Sequence, residues 1–137
     1  MKTKKVLGIL TFVLAVFILA SFTMPANQPA PWNIPAKYKT MKNPFAGDEN
    51  LTKTVGKAMW AKHCKSCHGN TGLADGPKAA GLKTPMRKFN DPAFQADADG
   101  VLYYKSIIGR DEMPNFEGKI PDEEGRWAVI NFIRTMK

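Results

Sequence analysis

Apolar residues recur at the three- and four-residue spacing of a helix face in three stretches of the chain. The first stretch begins near residue 51 and leads up to Cys64, the second extends from Gly100 to Ile108, and the third covers about 122–136. Long segments rich in Pro and Gly separate them, so the pattern predicts three helices joined by long loops. The apolar positions are Leu51, Val55, Met59 and Trp60 in the first helix, and Trp127, Ile130 and Ile133 in the third.

Polar residues indicate where these helices begin and end. Asn50 or Thr52 can cap the first helix, and Asp97 or Asp99 precedes the second, for which Gly109 is a natural stop. Acidic side chains also favour the positive end of a helix. The third helix has such residues at its start, namely Asp122, Glu123 and Glu124.

The N-terminal segment is typical of an export signal or a membrane anchor. Three lysines within the first five residues precede an uncharged apolar run from Val6 to Phe22. This run is longer than the roughly 7–15 residues of a signal core and shorter than the roughly 20 of a spanning helix. No clean small-x-small cleavage site follows it. We therefore interpret residues 1–23 as an export signal or an uncleaved anchor, and favour an anchor through residues 6–22.

The segment that follows is rich in proline, with five prolines between Met24 and Gly47. This density favours an extended, semi-rigid spacer, so residues 24–47 are interpreted as a linker. Alternatively, Trp32 and Phe45 dock the segment onto the domain surface. The globular domain then covers residues 48–137.

The formal net charge of +8 does not indicate a nucleic-acid-binding protein. Six lysines and no acidic residue lie in residues 1–42, whereas residues 43–137 carry 14 Lys or Arg and 12 Asp or Glu. Phosphate binding needs a concentrated basic surface, which a nearly neutral domain lacks. We therefore expect no nucleic-acid partner.

The chain contains two cysteines, and both belong to the run Cys64-Lys65-Ser66-Cys67-His68. A C-x-x-C-H run is the attachment motif of a c-type haem. Each thiol adds to one porphyrin vinyl group, and the histidine that follows ligates the iron. Cys64 and Cys67 are thus the predicted thioether positions of one covalently attached haem c, and His68 is the predicted proximal ligand.

Three other interpretations of a C-x-x-C pair are a zinc site, a thioredoxin-like redox pair and a structural disulfide. Zinc needs two further ligands, but the other histidine, His63, is adjacent to Cys64 and cannot easily help complete a tetrahedron. A redox pair would need a strand–helix setting, and nothing near residue 64 has a strand pattern. The haem interpretation is therefore preferred.

A methionine on the second face of the iron would close it and favour the ferrous state. Position along the chain leaves two of the seven methionines as candidates, Met113 and Met86. Met113 lies between the second and third helices and is followed by Pro114, which stiffens the backbone. Met113 is therefore the predicted axial ligand, with Met86 as the alternative. The carbonyl of Pro77, in the turn after the attachment motif, is the predicted acceptor for the other N–H of His68.

Several motifs occur in the order seen in the class I c-type cytochromes. They are Cys64-x-x-Cys67-His68-Gly69, Asp75-Gly76-Pro77, Met113-Pro114 and a terminal helix with Trp127, Ile133 and Arg134. Over about residues 51–137 the chain resembles this monohaem family. The resemblance implies an all-α, small cytochrome c fold, with three main helices and long loops around one covalently bound haem. It also implies His/Met ligation and single-electron transfer between respiratory partners, and it supports the role of Pro77.

The resemblance also implies how the first and last helices meet. Gly56 and Trp60 occupy the positions where the family has a glycine and an aromatic residue at the helix crossing, and Trp127 would be the partner across it. His63, a second imidazole beside the motif, is a departure from the family pattern.

The preferred function is that of an exported electron carrier and not an enzyme. Its partners would be a redox donor and acceptor, and it would work in the periplasm or on the outer face of the cytoplasmic membrane. Two alternatives are a fixed haem subunit of a larger membrane respiratory complex and an open-site haem enzyme or gas sensor. Lysines near the haem edge could bind an acidic partner, namely Lys62, Lys65, Lys78, Lys83 and Lys88.

Overall fold

The computed structural model describes residues 30–137, and the predicted signal or anchor lies outside this range. Within the range the chain is helical and forms no sheet; its β-type pairing is an isolated bridge between Arg110 and Met113. None of the helices in residues 30–137 has the length and apolarity needed to cross a membrane. The all-α prediction is confirmed.

Six helices are numbered here in chain order. The helix α1 is Ala36–Thr40; α2 consists of Glu49–Leu51, a π-helical part Thr52–Gly56 and Lys57–His63; and α3 is Lys65–His68. The helix α4 is Pro92–Gln95; α5 consists of Asp99–Tyr103 and a π-helical part Tyr104–Ile108; and α6 is Glu123–Arg134. A short 3₁₀ turn covers Ala79–Gly81. The three predicted helices correspond to α2, α5 and α6.

Two of the predicted helix caps are wrong: a different residue caps α2, and no side chain caps α5. Asp48 caps α2, since its carboxylate accepts the Leu51 N–H at 2.8 Å. The residue before α5 is Ala98, which has no side-chain cap. The end of α5 at Gly109 agrees with the prediction. At α6 the predicted acidic start is confirmed, with Asp122 accepting the Gly125 N–H.

The first and last long helices cross at Gly56. A Cβ atom at this position would lie 2.3 Å from the Ala128 carbonyl oxygen and 3.1 Å from Cβ of Phe132. The absence of a side chain therefore lets the two backbones approach closely. The predicted partner was Trp127, but that residue packs against Tyr103 of α5, with ring centroids 4.6 Å apart.

The described part of the proline-rich segment lies against the helices; we call residues 30–47 the strap. Asn43 donates to the side chain of Asn131 at 2.7 Å, and Asn131 donates to the Phe45 carbonyl at 2.7 Å. Both asparagines are buried. Tyr38 of α1 contacts the ring of Tyr104, with centroids 4.7 Å apart. These contacts agree with the docked alternative.

Candidate functional site

The attachment motif lies where α2 ends and α3 begins. The Cys64 N–H donates to the Trp60 carbonyl at 2.9 Å, which makes this cysteine the last residue bound to α2. The His68 N–H donates back to the Cys64 carbonyl at 3.0 Å. One helical turn therefore carries both cysteines and the histidine. Both thiols are free; Cys64 is buried and Cys67 half-buried.

The apolar surroundings of the motif change the acid–base properties of its side chains. Burial lowers the pKa of His68 to about 4, so the imidazole is neutral at neutral pH. Burial and, to a lesser extent, the charge of Cys67 raise the pKa of Cys64 to about 12. The ring of His68 lies 4.8 Å from that of Phe89 and 5.9 Å from that of Trp60. A neutral imidazole has the lone pair that an iron ligand requires.

One nitrogen of this imidazole has no partner in the described part of the chain. Nδ1 of His68 is buried and neither donates nor accepts a hydrogen bond within residues 30–137. Such groups are rare in proteins because a buried unpaired polar atom costs about 1–3 kcal/mol. The bond from His68 to the Pro77 carbonyl is therefore not formed in this structure, and the role of Pro77 stays a prediction.

The segment containing Pro77 is nevertheless folded onto the motif. The Gly76 N–H donates to the Cys67 carbonyl at 3.2 Å, and the Lys78 N–H donates to the Ser66 carbonyl at 2.9 Å. A Cβ atom at Gly76 would lie 2.6 Å from the Ser66 carbonyl oxygen, so this close contact requires glycine. Pro77 is thereby held beside the motif by both of its neighbours.

Met113 lies in a tight loop between α5 and α6. Its N–H donates to the Arg110 carbonyl at 2.8 Å, and the loop closes where the Phe116 N–H donates to the Ile107 carbonyl at 2.8 Å. Gly109 has a φ of +71°. Its backbone lies so close to that of Met113 that an added Cβ would be 2.2 Å from the Met113 carbonyl oxygen. The side chain of Met113 is half-buried against the core.

The alternative methionine, Met86, has a different environment. It is half-buried and lines a cavity of about 530 Å³ that is formed by residues 74–86 and includes Gly76 and Leu82. This volume is within the roughly 300–1,000 Å³ range of small-molecule and cofactor sites. Met113 is not among the lining residues. Which methionine ligates iron therefore stays a prediction.

Glu112 connects the Met113 loop to the loop that carries Met86. Its carboxylate accepts the backbone N–H groups of Lys83 at 3.0 Å and Thr84 at 2.7 Å. These hydrogen bonds hold the pKa of Glu112 below its ordinary value, and the bond from Lys83 has the largest effect. Sequence reasoning missed this residue because an exposed acid in a polar loop carries no pattern that marks its partner.

His63 also faces inward from the end of α2. Its Nε2 is buried and unpartnered in the described residues, and its ring lies 5.9 Å from that of Phe116. Burial is the main cause that lowers its pKa, followed by the charges of Lys62 and Lys119. The second imidazole noted in the sequence is thus a neutral group between the attachment motif and the segment after Met113.

The donor set around the motif fits a covalently attached haem. It offers two free thiols on one helical turn and a half-buried imidazole that is neutral at neutral pH. A tetrahedral zinc site would need four ligands. Residues 30–137 contain no group of three or more His, Cys, Asp or Glu side chains that could hold a metal ion.

Comparison with known proteins agrees with this fit. A family model described as cytochrome c matches residues 53–137, which is more than half of the chain and includes the attachment motif and both candidate methionines. No curated protein matches the chain.

Proposed function

This chain belongs to the cytochrome c family, and from that premise we propose that it carries single electrons between redox proteins through one haem c ligated by His68 and Met113. Members of the family carry haem c and generally transfer electrons. The observation that carries the proposal is the helical turn that presents two free thiols and a neutral imidazole together.

Each residue of the turn has a separate role in the proposal. Cys64 and Cys67 hold the haem as thioethers, and His68 binds the iron without first having to lose a proton. When bound, the haem supplies a one-electron Fe(III)/Fe(II) couple. Met113 would provide a second protein ligand for the iron and would thereby keep water and small ligands from it. A closed site of this kind suits a carrier, because few groups rearrange when the charge changes.

The partners and the location extend the proposal further. The five lysines near the motif and in the following loops, Lys62, Lys65, Lys78, Lys83 and Lys88, are all exposed. An acidic surface on the partner would be attracted to them, mainly through a faster association rate. Cytochrome c domains generally belong to exported proteins, and we propose that this one works in the periplasm or on the outer face of the membrane.

The absorption spectrum of the haem-loaded protein tests the ligand set. We expect a far-red methionine–ferric band that Met113→Ala abolishes, and no response of the reduced protein to carbon monoxide. Met86→Ala is the matched control and should keep the band. Loss of the band in Met86→Ala alone would assign that methionine instead. A large carbon monoxide shift in the unmutated protein would mean an open iron, and therefore sensing or catalysis in place of a closed carrier.

A further inference from the structure

Arg110 joins the Met113 loop to the strap. Its guanidinium donates to the Pro31 carbonyl at 3.0 Å and also to the Ala30 carbonyl. The same group lies 4.2 Å from the ring centroid of Trp32, the distance of a cation–π contact. Arg110 is thus held by three consecutive strap residues that are 78 or more positions earlier in the chain.

Trp32 is itself supported by the helix that leads into the loop. Its ring meets that of Tyr104 edge to face, with centroids 6.3 Å apart. Tyr104 also contacts Tyr38 of the strap at 4.7 Å. Aromatic pairs in this geometry contribute beyond their buried area. The strap therefore rests on α5, and Arg110 extends from the end of α5 over the strap.

The backbone of Arg110 is coupled directly to that of Met113. The two residues form the isolated bridge, in which the Met113 N–H donates to the Arg110 carbonyl at 2.8 Å. Gly109 also lies close to Met113, since an added Cβ at Gly109 would be 2.2 Å from the Met113 carbonyl oxygen. We therefore expect a displacement of Arg110 to displace the Met113 backbone, because this hydrogen bond and the close contact with Gly109 connect the two residues.

We propose that Arg110 and Trp32 form a latch through which the strap positions Met113 at the iron. The inference rests on the proposed ligation by Met113 and adds two positioning residues to it. While the latch is closed, the methionine stays on the iron. An event that pulls residues 30–32 away from α5 releases the loop and opens the iron to small ligands. The segment before the domain thereby controls access to the haem.

Hydrogen exchange and carbon monoxide binding on the full, haem-loaded chain test the latch. Loss of the cation–π contact in Trp32→Ala should raise amide exchange of residues 109–116 about three- to fivefold. Arg110→Lys keeps the charge but loses the planar fork, and we expect a rise of about tenfold. Carbon monoxide should bind the reduced form of both variants, whereas the unmutated protein should not respond to it, and the far-red band should weaken.

Two control variants separate positioning from general destabilisation. Trp32→Phe keeps an aromatic face for Arg110 and should retain most of the protection. Arg87→Lys is matched to Arg110→Lys, since Arg87 also lies over an aromatic ring, 5.9 Å from the centroid of Phe94, and forms its hydrogen bond to Asp91, outside the Met113 loop. It should leave exchange of residues 109–116 unchanged.

The outcomes distinguish failure of the latch from failure of the ligand assignment. Unchanged exchange of residues 109–116 in Trp32→Ala and Arg110→Lys would overturn the latch. Faster exchange without any carbon monoxide binding would also overturn it, because the contact would then be structural only. A far-red band that survives in Met113→Ala would instead refute the assignment of Met113, whatever the latch variants show.

Discussion

Gly109 has a backbone conformation that only glycine adopts readily, with φ at +71° and ψ at −176°. Replacing it with alanine would also place a Cβ 2.2 Å from the Met113 carbonyl oxygen. We expect Gly109→Ala to lower the free energy of unfolding by about 1–3 kcal/mol and to weaken the far-red band. Guanidinium unfolding and the ferric spectrum measure these effects.

Gly118 provides the control for that substitution. An added Cβ there would meet no atom within 4 Å, and its φ lies outside the left-handed region. Gly118→Ala should therefore leave the midpoint of unfolding almost unchanged. Equal stability losses in the two variants would contradict the role of the close contact at Gly109.

Ala74 has the opposite mismatch, because a residue with a Cβ has a φ of +62° there. A non-glycine residue in the left-handed conformation loses roughly 1–2 kcal/mol, which a glycine would recover. Glycine also makes the unfolded chain more flexible, and this offsets part of the recovered stability. We expect Ala74→Gly to raise the free energy of unfolding by on the order of 0.5 kcal/mol, and the melting temperature by about 2–4 °C. Thermal unfolding measures both.

Ala80 is a suitable comparison for Ala74→Gly, since it is an exposed alanine in the nearby 3₁₀ turn. There glycine relieves no strain and only adds freedom to the unfolded chain. Ala80→Gly should therefore lower the melting temperature slightly. A rise in both variants, or a fall in both, would show that the backbone of Ala74 is not strained.

At the scale of elements, Arg134 connects the end of α6 by hydrogen bonds to the start of α5 and to the residues just before it. Its guanidinium donates to Asp99 at 2.6 Å and to the carbonyls of Gln95 and Asp97 at 2.5 Å each. A lysine cannot reproduce this fork. We expect Arg134→Lys to lower the free energy of unfolding by about 1–2 kcal/mol, measured by guanidinium unfolding.

Lys53, in an exposed ion pair with Glu49, is the control at this scale. Exposed pairs of this kind contribute little to stability, so Lys53→Ala should change the unfolding midpoint far less than Arg134→Lys. If the two variants lost the same stability, the partly buried network of Arg134 would have no special role.

At the scale of the whole molecule, the attached haem should be part of the folded core. A domain of this size buries a small core of its own, and Cys64 of the attachment turn belongs to that buried core. We expect the double variant Cys64→Ser/Cys67→Ser, which cannot attach haem, to lose much of its helical signal in far-ultraviolet circular dichroism.

The control for this prediction changes the same turn without touching the thiols. Lys65→Ala/Ser66→Ala should keep both the haem, seen by mass spectrometry, and the helical signal. A double serine variant that is as helical and as stable as the unmutated protein would contradict a structural role for the haem.

The sequence by itself determined the features that depend on neighbours along the chain. The attachment turn, the end of α5 at Gly109 and the acidic start of α6 each rest on residues within one helical turn, where local spacing and backbone preference decide the outcome. The all-α fold and the family followed from the same local motifs and their order. The ligand roles of His68 and Met113 came from that reasoning too and stay predictions.

Only the tertiary structure decided which distant residues meet. The strap contacts Asn131 and Arg110 across more than 75 positions, Gly56 packs against Ala128 where Trp127 was expected, and Glu112 binds amides 28 and 29 positions away. Proline density and an exposed glutamate are equally compatible with a free linker and a solvated loop. The reason is physical: such contacts depend on the summed packing of several elements, and no residue pattern along the chain records that sum.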